Sequence, residues 1–140
     1  MATYVKYQCF VEDLAEKVHN LGSDTLKVAL TNTAPNVSTH VGLSDITEIS
    51  AGSGYTAGGT QAAITTSAQT AGTYKLVLAD VVFTASGGSI GPFRYAVLYN
   101  DTSTGDRLIA YHDYGSSITL LVGETLTWNA DPTTGILTVA

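Results

Sequence analysis

Hydrophobic residues along this chain recur mostly at every second position. Leu26–Thr31 alternates cleanly, with Leu26, Val28 and Leu30 on one face and Lys27, Ala29 and Thr31 on the other. Phe93–Asn100 and Leu108–Tyr114 are rich in tyrosine and aliphatic residues, and the hydrophilic segment Asp101–Asp106 between them reads as a turn. Ile118–Leu121 and Thr125–Trp128 flank Gly123, and Ile136–Val139 follows the turn Asp131–Gly135. The longest such run is Tyr74–Ala85, where Leu76 and Leu78 point one way and Val81 and Phe83 the other. Alternation fails at Asp80, which predicts a bulge or bend where the strand changes partner sheets. Gln61–Thr66 is a further candidate strand, Ile46–Ile49 a short weak one, and Ser67–Gly72 and Ser86–Pro92 read as a turn and a loop. Only Phe10–Leu21 has helical spacing: Phe10, Leu14, Val18 and Leu21 form one apolar stripe, and Gly22 stands where a terminating glycine would. Short strands separated by turn residues predict a mainly all-β chain, a β-sandwich or jelly-roll-like domain with one short N-terminal helix. Residues 1–140 are read as one domain: 1–9 a candidate arm, 10–21 the helix, 24–140 β-rich.

Composition narrows the function classes. Charged residues make up 13% of the chain and the net charge is −6. The six basic residues never cluster, so the chain lacks the cationic face that nucleic acid or an anionic membrane requires. No run of 18 apolar residues predicts a spanning helix, and no apolar N-terminal region predicts a secretory signal. The expectation is a soluble protein made in the cytoplasm. Cys9 has no second cysteine to pair with and is read as a small buried residue.

The sequence offers little for catalysis. His19, His40 and His112 lie in three separate segments without zinc-ligand spacing. His112 and Asp113 are neighbours on a strand, so they point to opposite faces and cannot form a dyad. Ala51–Gly59 is rich in glycine but lacks the strand, helix and Gly-Lys-Ser/Thr ending of a phosphate loop. It reads instead as a long connection with unusual backbone, anchored by Tyr55. Asp101, Asp106 and Asp131 are the oxygen donors a weak calcium site would draw on, although Asp101–Asp106 fails the EF-hand pattern. Glu124 and Asp113 are the carboxylates that could pair across a cleft. The chain is expected not to be an enzyme and to need no cofactor.

Eight tyrosines remain. Tyr95 and Tyr99 share a predicted face with Phe93 and Val97 and read as core. Tyr111 is placed with Ile109, while His112 and Tyr114 are placed with Ala110. Trp128, on a face with Leu126, also reads as core.

Four segments carry a resemblance: Asp45–Gly59, Gly91–Thr102, His112–Thr119 and Gly123–Thr127, with the Phe10–Val37 block also fitting. They resemble small virion structural proteins of tailed bacteriophages, most of all head decoration, or cement, proteins. The resemblance implies a small β-sandwich or jelly roll on the capsid exterior, synthesised in the bacterial host cytoplasm. It implies the major capsid protein as partner and self-association as a homodimer or homotrimer. Another virion component (tail, neck or fibre, with a carbohydrate-binding groove at Trp128 or Tyr111) is the alternative. Tyr4 and Tyr7 are the candidates for an arm that touches a partner, and Arg94 and Tyr111 are further contact candidates. Removing residues 1–8 is expected to weaken partner binding and leave the fold intact.

Overall fold

The computed structural model describes residues 2–140. Ten strands, one α-helix and one short 3-10 helix follow one another among these residues: β1 (Thr3–Lys6), α1 (Cys9–Ala15), β2 (Leu26–Thr31), the 3-10 helix (Leu43–Asp45), β3 (Thr60–Gln61), β4 (Ile64–Thr70), β5 (Thr73–Leu78), β6 (Val81–Thr84), β7 (Ile90–Asn100), β8 (Leu108–Leu120), β9 (Thr125–Trp128) and β10 (Leu137–Val139). All strand pairs are antiparallel. One sheet has the order β1-β8-β7-β2-β3, a second β10-β5-β4, and β6 pairs with β9. The fold is all-β and sandwich-like, as the period-2 pattern predicts. Its main core draws side chains from all three sheets: Val28, Leu30 and Leu98 from the first, Leu76 and Leu78 from the second, Phe83 and Trp128 from the third. Asp80 stands at the break the pattern predicts. β5 ends at Leu78 in one sheet and β6 begins at Val81 in another, while the Asp80 carboxylate accepts the Ala130 N–H at 2.9 Å.

The five-stranded sheet is buried on both faces along β2 and β7. Its second face carries Tyr7, Ala29, Val97, Tyr99 and Leu108, covered by Cys9, Leu43 and Ile46. The chain therefore supplies this cover itself. Bulges along β7 and β8 shift two of the predicted faces. The register slips between Phe93 and Tyr95, so Phe93 joins the main core while Val97 and Tyr99 face the second cluster. Leu98 pairs with Ala110 and Tyr99 with Leu108, which leaves Ile109 as an extra residue turned into the main core, away from the side of Tyr111.

Three predicted boundaries are corrected. The helix ends at Ala15 rather than Leu21. Lys17 takes a left-handed φ of 68°, the Val18 N–H reaches the Asp13 carbonyl at 2.8 Å, and the Lys17 N–H reaches Leu14 at 3.4 Å. That is a Schellman closure with lysine in the position usually held by glycine, so Gly22 plays no part in ending the helix. Asp13, only 3% exposed, holds Arg107 through two hydrogen bonds of 2.8 Å and fixes α1 to the start of β8. Second, β4 runs on to Thr70, so the turn shrinks to Ala71-Gly72. Both residues have positive φ, as a two-residue type I′ hairpin requires. Third, β8 passes through Gly115 to Leu120, so Ile118–Leu120 belongs to the same strand as Leu108–Tyr114.

The glycine-rich connection lies flat against the sheet. Gly54 and Gly59 have φ of 98° and 77°, and a Cβ there would meet the Thr84 and Val28 carbonyl oxygens at 2.1 and 1.8 Å. Tyr55 anchors the connection as expected: its buried hydroxyl accepts the Leu30 N–H at 3.0 Å and donates to Glu48, which also takes the Gly58 N–H.

Candidate functional site

The structure separates the four predicted contact residues into two kinds. Tyr4 lies in β1, opposite His112, with its ring 5.4 Å from the imidazole and 38% of its surface exposed. Tyr7 is fully buried. Residues 3–6 are thus an edge strand and Tyr7 is core, which corrects the reading of residues 1–9 as a free arm. The reason is pairing: β1 completes the ladder of β8 over four residues, and the following turn drops Tyr7 against Val97, Tyr99 and Leu108.

Tyr7, Tyr111 and Tyr95 form a row of edge-to-face rings, with centroids 5.5 and 5.8 Å apart. Arg94 extends the row, its guanidinium 5.3 Å from the Tyr95 ring centre. It also holds Asp113 through bonds of 2.7 and 3.0 Å, and each charge favours the ionised form of the other. The same carboxylate accepts the Gly115 N–H. So a line of contacts runs from the buried Tyr7 through Tyr111 and Tyr95 to the partly exposed Arg94. Burial, with Tyr111 and Cys9 nearby, raises the Tyr7 phenol well above the ordinary range, so it stays protonated.

His112 bonds to neither Asp113 nor any other carboxylate. Its Nδ1 accepts the Trp128 Nε1–H at 3.0 Å and its ring stands edge-on to the indole. Trp128 borders a pocket of about 430 Å³ with His112, Tyr114 and Asn129, but at 1% exposure it offers almost no ring face for a sugar to stack on. Glu124 caps its own turn at Leu121, so it does not pair with Asp113. Asp101 pairs with Lys27 at 3.0 Å and Asp131 binds the Thr133 and Thr134 amides. Among the described residues, no group of three or more His, Cys, Asp or Glu side chains is gathered as for a metal ion. Cys9 is half-buried, and its thiol is pushed up chiefly by burial.

Two features escape the sequence reading. One is an exposed apolar tip. Leu121 and Val122, 58% and 65% exposed, form the turn between β8 and β9, and Val82 on the outer face of β6 is 54% exposed. Backbone bonds from Gly123 to Ala85 and from Ala85 to Glu124 hold this turn against the end of β6. Leu121 was legible only as the end of a strand. The other is a cleft of about 780 Å³ between the segment after α1, the β4–β5 hairpin, the end of β10 and the β7–β8 turn. His19 lines it, 81 positions before its partner Asn100, and no local pattern announces such a contact.

No helix among the described residues is long and apolar enough to cross a membrane. Comparison with protein families, with curated proteins and with solved structures gives no match to the chain.

Proposed function

We infer that this protein decorates the head of a tailed bacteriophage, binding the outer surface of the major capsid protein lattice and stabilising it. The observation that carries this reading is the resemblance of Asp45–Gly59, Gly91–Thr102, His112–Thr119 and Gly123–Thr127 to small virion structural proteins. In the fold, the last three of these segments make up most of β7, the middle of β8 and the start of β9. A ligand that binds the assembled lattice and not free subunits raises the stability of the lattice by mass action. Joining copies as a homodimer or homotrimer multiplies weak contacts. β4 supports self-association: it is an open sheet edge of mostly exposed, uncharged residues, without the lysine or proline that usually blocks pairing.

The contact assigned to the capsid protein moves from the N-terminal segment to the tip formed by Leu121 and Val122. Exposed aliphatic side chains at a rigid turn gain by being covered. Electron cryo-microscopy of intact particles tests the reading. Many copies over the head shell are expected; signal confined to a tail, neck or fibre would transfer the function to that component. Replacing Leu121 and Val122 together by aspartate should weaken particle binding by about tenfold or more while the circular dichroism spectrum is kept. Undiminished binding would remove the tip from the contact. Particles without the protein should release DNA at a lower temperature, and equal melting would contradict head stabilisation.

A further inference from the structure

We propose that two copies of this chain join edge to edge through β4, about a two-fold axis at Ala68, so that their β10-β5-β4 sheets run on as one continuous antiparallel sheet. Self-association is part of the head-decoration reading, on which this dimer rests; β4 gives it a surface, a symmetry and a register.

The hairpin decides which backbone groups of β4 are free. Thr70 faces Thr73 across the two-residue turn Ala71-Gly72. In such a hairpin the pair beside the turn exchanges both backbone bonds, and bonded and free positions then alternate along the strand. Thr70 and Ala68 therefore direct their N–H and C=O groups to β5, while Gln69 and Ser67 direct theirs outward. Among the described residues no other segment bonds to the backbone of Thr66–Thr70, and all but Ser67 of these residues are exposed.

The bulge decides the register. Pairing with β5 slips between Ile64 and Thr66, so the regular part of the edge is Thr66–Thr70, centred on Ala68. Antiparallel pairing about that centre sets Ser67 of each copy opposite Gln69 of the other, and each such pair exchanges two backbone bonds. Thr66 then faces Thr70 of the second copy, and the two Ala68 residues face each other as a non-bonded pair.

Charge, length and closure make the occupant a second copy. No charged side chain occurs from Ile49 to Tyr74. Lys75, opposite Ala68 on β5, is held elsewhere, its Nζ bonding the Thr133 carbonyl at 3.1 Å. An acidic or basic partner finds nothing to pair with here, whereas two identical neutral edges meet without repulsion although each chain carries −6. β4 has seven residues, against at most four in any other edge strand, and lacks the lysine that ends β1. Pairing β4 with β10 of another copy would run head to tail and leave an edge open at each end; pairing β4 with β4 closes.

Sedimentation equilibrium of the full chain tests this dimer. The contact is small, so the weight-average mass should rise from 14.6 kDa toward twice that value between about 20 μM and about 1 mM. Ala68→Lys sets two like charges on the axis at an exposed position. It should weaken association about fivefold or more with the circular dichroism spectrum kept. In a Cys9→Ser background, Ala68→Cys should cross-link on mild oxidation, because its Cα lies about 4.5 Å from that of the second copy. Thr66→Cys, about 14 Å from its own counterpart, should not. A mass that stays at one chain throughout, or settles at three, would overturn the dimer. Association unchanged by Ala68→Lys would overturn the edge, and Thr66→Cys cross-linking as readily as Ala68→Cys would overturn the register. No particle is present, so failure here removes β4 as the joint and leaves head decoration to be decided by microscopy.

Discussion

Histidine is held neutral in two parts of this fold, each time by the same wiring. His112 Nδ1 accepts from Trp128 and His19 Nδ1 from Asn100, so a second ring proton at Nδ1 would break a buried bond. Burial lowers both pKa values below the ordinary 6.5; at His19 it outweighs the opposite pull of Asp13 and Asp24. As pH falls through 6.5 the unfolded chain therefore takes up protons before the folded one does. The histidine contribution is complete above that value, declines from 6.5 down through the folded pKa values, and then levels off. Urea denaturation across this range should show stability falling on acidification, and His112→Phe should flatten the slope. Stability that rises on acidification would contradict the wiring. Asp113 acts in a separate window: Arg94 holds its pKa below 3.8, so its contribution persists until more acid conditions.

At the scale of elements, the N-terminal strand decides the most. β1 pairs with β8 and delivers Tyr7 to the second core. Deleting residues 1–8 should therefore destabilise the fold, contrary to the expectation for a free arm. Tyr7→Ala alone should cost about 3–5 kcal/mol in chemical denaturation, as for other large buried aromatics; a loss below about 1 kcal/mol would mean that the segment is dispensable. The sequence made β2, most of β7 and the first half of β8 legible, because alternation and dense aromatics mark strands wherever they pack. It also revealed the sheet change at Asp80 and the anchoring of Tyr55. It did not reveal where the helix stops, since the closing residue is Lys17 and the apolar stripe continues past it through Val18 and Leu21. Those two side chains line the cleft instead of a longer helix. The bulges at Phe93 and Ile109 were equally hidden, because a strand's period says nothing about its partner's register. The cleft depends on contacts between distant segments and had no sequence signature.

For the whole molecule, one core binds three sheets, and Trp128 stands where they meet. It extends from the β6–β9 pair into the main core and bonds to His112 in the five-stranded sheet. It is the only tryptophan in the chain, so its fluorescence reports that junction alone. Melting followed by tryptophan fluorescence and by far-ultraviolet circular dichroism should coincide, as for a single cooperative unit. A fluorescence change at lower temperature would mean that β6 and β9 detach before the rest unfolds.

The flat glycine connection bears on how such chains diverge. At positions 54 and 59 any side chain would drive a carbon atom into a backbone oxygen, so variants there are lost whatever the protein binds. The exposed positions of β4 and of the β8–β9 turn carry no such penalty and are free to drift with a changing partner. Glycines at 54 and 59 are therefore demanded by the scaffold itself, whereas specialisation would be written in the turns and edges, where two descendants of one ancestor would look least alike.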